Sequence, residues 1–171
     1  NREDVLALTP AAASHMIACS CAIKADVVRQ DEREGGLRRI LNFGHTIAHA
    51  IEKETGYTRY RHGEAVAIGM IGAARISTAM GLLPAETCAR IERLTAAMGL
   101  PCSVEGASPD AMYTDLFHDK KTVGGRIHWV LAEDIGRVCV RCDVPEEIVR
   151  KSILGLFTPP LLRKRCDETK Q

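Results

Sequence analysis

"LNFGHTIAHAIEKETGYTRYRHGEAVAIGM", Leu41 to Met70, decides how the chain is read. It holds three of the six histidines, His45, His49 and His62, beside Glu52 and a long apolar run. His45 and His49 are four apart, so on a helix they share a face, and Glu52 falls three residues further along it. His62 follows a loop and opens the next apolar segment. Spacing thus lets three imidazoles and a carboxylate meet. Neutral imidazole suits zinc, whose catalytic sites take three protein ligands and keep one position open. Spacing by itself selects His45 and His49 as the ligand pair. It equally accommodates histidines that cap a helix or sit on a surface, because H-x-x-x-H is short and recurs by chance. Glu64 in the first turn beside His62 is ordinary helix-start chemistry.

Around this stretch the pattern is mainly α. Pro10 to Gln30 reads as a helix, with Met16, Ile17, Ile23, Val27 and Val28 near helical spacing and no interior Gly or Pro. Gly35-Gly36 mark a turn. A second helix starts near Asn42-Phe43-Gly44 and stops at Gly56, and a third runs from about Gly63 to Met80. The third is apolar on nearly every side from Ala65 to Ala74, which places it in the middle of a bundle. A fourth helix has Pro84 early, Cys88, Ile91, Leu94 and Met98 on one stripe, and Gly99 as its stop. "RIHWVLAEDIGRVCVRCDV" alternates around a turn at Glu133–Gly136, so a hairpin is expected. A last helix follows, with Asp143 and Glu146 as its capping box. The expected fold is therefore a helical bundle with a small β-hairpin over residues 1–157, and 158–171 form a frayed, disordered tail.

Bulk properties exclude several function classes. A net charge of +1 and seven Phe, Trp or Tyr residues give no basic, stacking surface for nucleic acid and no reason to bind an acidic membrane. The longest uncharged apolar run, Ala65 to Ala74, is too short to span a bilayer, and the charged opening "NREDVLALTP" is not a signal peptide. Seven cysteines, an odd count, speak against a secreted disulfide scaffold, so a cytoplasmic chain with reduced thiols is expected. The C-x-x-C of Cys139 and Cys142 lacks a partner pair and reads as strand packing before zinc or redox chemistry. No G-x-G-x-x-G occurs, so the chain carries no recognisable nucleotide-binding motif.

Two cationic features remain. Lys120 and Lys121 in "HDKKTVGGR" read as adjacent point charges in a Gly-containing loop, able to bind phosphate or merely solvated. Lys24 falls between Ile23 and Val27-Val28, where it either snorkels to water or points into a polar site.

"KADVVRQDEREGGLRRILNFGHTIAHAIE", then "HGEAVAIGM", "DKK" and "IHWVLAEDIG", in this order over about Ala22 to Leu156, resemble the C-terminal part of the 3-dehydroquinate synthase family. The resemblance implies a mainly helical domain that supplies metal and substrate groups, below an α/β domain that binds NAD. It implies turnover of the sugar phosphate 3-deoxy-D-arabino-heptulosonate 7-phosphate to 3-dehydroquinate and phosphate, in the shikimate route to aromatic amino acids. Zn2+ or Co2+ is the implied metal, and a homodimer the implied assembly of the full-length protein. Matched by motif, the metal ligands are His45 and His62, which overturns the pair that spacing selects. His49 becomes a substrate and phosphate contact, Lys24, Arg38 and Asn42 substrate-binding residues, and Lys120 or Lys121 a phosphate contact.

The resemblance also marks departures. The family's third metal ligand, a Glu in a G-x-A-E-x-x-K segment, and the NAD domain are not found in these residues. The expectation is a chain that begins partway into the helical domain, is inactive alone and exposes an apolar seam. Ala48 stands where the family commonly has Gly. Three alternatives are a sister sugar-phosphate cyclase making an inosose or valiolone, a metal-dependent alcohol or polyol dehydrogenase, and a non-catalytic truncated domain. Asn42 and His49 favour the dehydroquinate product over the sister cyclases, and Lys24, Arg38 and Lys120-Lys121 favour a phosphate substrate over a plain polyol.

Overall fold

The computed structural model describes residues 2–32, 36–121 and 126–157, with the side chains of 118–121 outside that description. The expected tail at 158–171 likewise lies outside the described residues. The chain divides into two units, Asn1–Asn42 and Phe43–Gln171.

The first unit holds α1 (Arg2–Leu6), α2 (Pro10–Gln30) and a 3-10 helix at Leu37–Asn42. Helix α2 has the expected bounds because Pro10 pre-sets its first turn and the Thr9 hydroxyl accepts from the Ala12 amide at 3.4 Å. Past its end, the Asp31 carboxylate accepts from the amides of Gly36 (2.8 Å) and Arg38 (2.9 Å), tying the 3-10 helix back to α2. Only Val27 of α2 is buried, while Met16, Ile17 and Ile23 are 47%, 64% and 65% exposed. Among the described residues α2 is also the one helix long and apolar enough to cross a membrane by length and composition. Attention to Ala65–Ala74 alone misses this. Lys24, Asp26 and Arg29 fall in its second half, and each costs about 3 kcal/mol at a bilayer centre.

The second unit is a bundle around α4 (His62–Ala79), with α3 (His45–Glu54), α5 (Ala85–Ala97) and α7 (Glu146–Leu156) packed on it, and α6 (Pro109–Lys121) against α3 and α7. The apolar run of α4, Ala65 to Ala74, is buried as expected, with Val66 and Met70 half-buried. Strand β1 (Trp129–Asp134) pairs antiparallel with β2 (Arg137–Arg141), Leu131 opposite Cys139, and lies on α4. Trp129 to Ala132 are all buried, so β1 has two covered faces instead of an alternating pattern. The two hydroxyls deepest in this core are satisfied. Ser77 donates to the Ala73 carbonyl and accepts from the Ala132 amide at 2.9 Å, and Ser152 donates to the Gly72 carbonyl at 2.9 Å.

Three local expectations change. The stretch before Gly44 is a 3-10 helix, and α3 proper starts only at His45. Lys120 and Lys121 end helix α6, where a loop was expected. Asp143 does not cap α7. That helix begins after Pro145, and Asp143 accepts from the Arg141 guanidinium (Nε at 2.7 Å), which holds its carboxyl down at about 2.

The approach of α3 to α4 is set by two glycines. Gly44 caps α3 with φ +84°, a left-handed conformation that L side chains avoid. A Cβ on Gly44 would come within 2.6 Å of the Met70 amide nitrogen, and a Cβ on Gly69 would overlap the Gly44 carbonyl oxygen. The two backbones touch, with Ala48 fully buried beside them. Gly69→Ala should therefore lower stability by about 1–3 kcal/mol, as overpacking does. Gly63→Ala, whose Cβ would meet nothing within 4 Å, should stay within about 1 kcal/mol of the parent. Urea unfolding of both variants checks this, and equal midpoints would mean the helices do not meet there.

Candidate metal and substrate site

The glycine contact sets the first turn of α3 against α4, and the three histidines gather between the two helices. Ring centroids lie 5.2 Å apart for His45 and His62, and 6.0 Å apart for His45–His49 and His49–His62. His45 is half-buried, whereas the side chains of His49 and His62 are 65% and 56% exposed. Glu52, only 7% exposed, sits beneath them.

Each ring has its Nδ1 beside an oxygen acceptor. His45 Nδ1 is 3.4 Å from the Phe43 carbonyl oxygen, His49 Nδ1 is 3.0 Å from Glu52 Oε2, and His62 Nδ1 is 2.8 Å from Glu52 Oε1. An oxygen without a proton can only accept, so Nδ1 carries the hydrogen and Nε2 of the neutral ring keeps its lone pair. Three lone pairs are thereby left at Nε2, the chemistry a metal or a proton in transit requires. Helix-start chemistry does not explain His62, because Glu64 supplies it by accepting from the Arg61 amide at 2.8 Å.

Burial, with the neighbouring His62 and His49, holds the His45 imidazole below its ordinary value, against the Phe43 carbonyl that favours the cation. For Glu52 burial pushes upward, but the hydrogen bonds from His62 and His49 outweigh it and the carboxyl ends below its ordinary value. The two shifts favour a neutral His45 and an ionised Glu52.

The remaining candidates fall elsewhere. Lys24, exposed on α2, Arg38, half-buried, and Asn42, exposed at the end of the 3-10 helix, belong to the first unit. Lys120 and Lys121 occupy the last turn of α6, and their side chains lie outside the described residues. Cys139 is half-buried on β2, and Cys142 beyond it lies 3.1 Å from His128 Nδ1. Among the described residues no three His, Cys, Asp or Glu side chains form a complete metal cage. Within the histidine cluster Glu52 stands on the Nδ1 side of two rings, His49 and His62. Sequence spacing puts Glu52 on the right face of α3 but does not reveal that one carboxylate holds two rings.

The family model described as 3-dehydroquinate synthase C-terminal matches residues 1–122. The 3-dehydroquinate synthase of Desulforamulus reducens is 46% identical over 147 residues, covering 85% of this chain and 41% of that protein. Its namesake from Nostoc punctiforme is 46% identical over 138 residues, 80% of this chain and 38% of that protein. The chain thus spans about two fifths of the length of these relatives. Among solved structures, the 2-epi-5-epi-valiolone synthase of Streptomyces hygroscopicus, with NAD+ and Zn2+ bound, matches with a TM-score of 0.78 at 24% identity. That match covers 91% of this chain and 44% of the other, and shows the shared fold. A 2-deoxy-scyllo-inosose synthase complexed with carbaglucose-6-phosphate, NAD+ and Co2+ matches at 0.70 and 26% identity, over 80% of this chain and 39% of that one.

The pKa directions give a signed expectation for the metal-free chain in chelator. His45 binds protons more weakly folded than unfolded, so stability falls as pH drops through the ordinary histidine range, about pH 7 to 5. Glu52 contributes stability above the ordinary carboxylate range and loses it as pH falls through its lowered folded value. His45→Asn should flatten the upper segment of a urea-midpoint profile and leave the lower one. An unchanged upper slope would contradict the placement of His45.

Proposed function

The chain belongs to the 3-dehydroquinate synthase C-terminal family, and on that premise we propose that it is the metal- and substrate-binding part of a 3-dehydroquinate synthase. The reaction is conversion of 3-deoxy-D-arabino-heptulosonate 7-phosphate to 3-dehydroquinate and phosphate, a carbon–oxygen lyase step in a cytoplasmic enzyme. The observation that carries the reading is the cluster of three imidazoles with every Nδ1 committed and every Nε2 open. It stands on the same L-N-F-G-H and H-G-E motifs by which the chain resembles the family.

His45 and His62 are the metal-holding residues in this reading, through Nε2. When bound, a divalent cation such as Zn2+ or Co2+ supplies Lewis acidity to a secondary hydroxyl and to the ketone made from it, while NAD supplies hydride exchange. The protein groups do the rest. His49, with Nδ1 donating to Glu52, can hold a proton at Nε2 and stabilise charge on a departing phosphate. Arg38 suits a bidentate grip on a substrate carboxylate, with Lys24 and Asn42 as further polar contacts. Lys120 or Lys121, at the end of α6, adds positive charge for the phosphate.

A sister cyclase is the second reading, favoured by the fold match to valiolone and deoxyinosose synthases. Identity of 46% to dehydroquinate synthases against 24% and 26% to those two favours the first. The test replaces the matching C-terminal region of the Desulforamulus reducens enzyme with this chain and follows phosphate release from the heptulosonate phosphate. The graft should turn over, and His62→Ala in it should lower kcat/KM at least roughly 100-fold with loss of bound metal. Undiminished turnover in His62→Ala would refute the assignment, and phosphate release from glucose 6-phosphate but not from the heptulosonate phosphate would favour the sister cyclase.

A further inference from the structure

We propose that Glu52 is a positioning residue that fixes the orientation and tautomer of two imidazoles at once, the metal-holding His62 and the proton-holding His49. The proposal rests on the functional reading above for what those imidazoles do, but its geometry stands by itself. Glu52 lies in the last turn of α3, is 7% exposed, and divides its two oxygens between two helices. Oε1 takes the Nδ1 proton of His62, on α4, at 2.8 Å, and Oε2 takes that of His49, on α3, at 3.0 Å.

Neither imidazole has enough burial to be held by packing, since both side chains are more than half exposed. An exposed imidazole samples several rotamers and both tautomers unless a hydrogen bond selects one. The carboxylate is the rigid member here, because it is buried at the helix pair and the rings are not. One ionised group therefore turns both Nε2 lone pairs outward and strengthens each as a base, the usual effect of a carboxylate behind a metal-bound histidine. It also couples the two sites: a change that draws His62 away from Oε1 alters the charge left for His49 at Oε2.

Glu52→Gln separates this role from mere support. A carboxamide keeps the size and one acceptor oxygen but presents an NH2 donor where the second oxygen stood. One ring keeps its Nδ1–H and the other must move its proton to Nε2 or turn away. Long-range 1H–15N spectra of the full chain, metal-free at about pH 8 where histidine is neutral, read the tautomer of each ring directly. In the parent both His49 and His62 should be Nδ1–H. In Glu52→Gln one of the two should switch, and in Glu52→Ala both should lose the preference, with the helical content unchanged by circular dichroism.

In the Desulforamulus graft, Glu52→Ala should weaken Zn2+ binding about 10- to 100-fold, with Glu52→Gln in between. Identical tautomers in parent and Glu52→Gln, or Nε2–H rings in the parent, would overturn the proposal. Tautomers that follow Glu52 alongside a fully active His62→Ala graft would support it and sink the functional reading instead.

Discussion

The contact between the Gly44 carbonyl and the backbone at Gly69 is the constraint from which the site follows. Any side chain at either position would force α3 and α4 apart, because a Cβ there meets backbone atoms that cannot move aside. Helix α3 has ten residues, too short to be stable alone in water, so its placement comes from packing. Ile47, Ala48, Ala50 and Ile51 bury one face of α3 on α4, and the histidines emerge along the margin of that face. The core and the chemistry share one interface.

Glu52 links that interface to the imidazoles. A carboxylate this buried carries a desolvation cost, which two Nδ1–H donors offset. The same bonds leave Nε2 of His49 and His62 with free electron pairs, and the Phe43 carbonyl does so for His45. A two-imidazole grip is short of the three ligands of a catalytic zinc, and the described residues complete no cage. The cationic residues matched to substrate contacts, Lys24 and Arg38, belong to a different unit from the imidazoles. The chain spans about two fifths of the length of its relatives.

What the sequence made legible depended on how local the cause was. Helix α2 was legible to the residue because its signals, Pro10 at the start and an unbroken run to Gln30, are contiguous. The buried α4 and the hairpin were legible for the same reason. Helix α6 was not, since among its described side chains Met112 and Leu116 are buried while Tyr113 and Phe117 are only partly so, and the glycines after it suggest a loop. Asp143 has the spacing of a cap, but the neighbouring Arg141 outcompetes the helix for its carboxylate. At the site, spacing groups His45 with His49, yet the shortest ring separation joins His45 to His62 across two helices. That pairing depends on the Gly44–Gly69 contact, which no periodicity reports.

The central claim is that Nε2 of His45 and Nε2 of His62 face one cation while Glu52 holds the second ring from behind. Crystals of the chain grown with zinc, with anomalous difference maps recorded on both sides of the zinc edge, test it most directly. The account predicts one peak in contact with both Nε2 atoms and Glu52 still on Nδ1 of His62. A peak bound by His45 and His49 without His62, or by the Glu52 carboxylate itself, would contradict it.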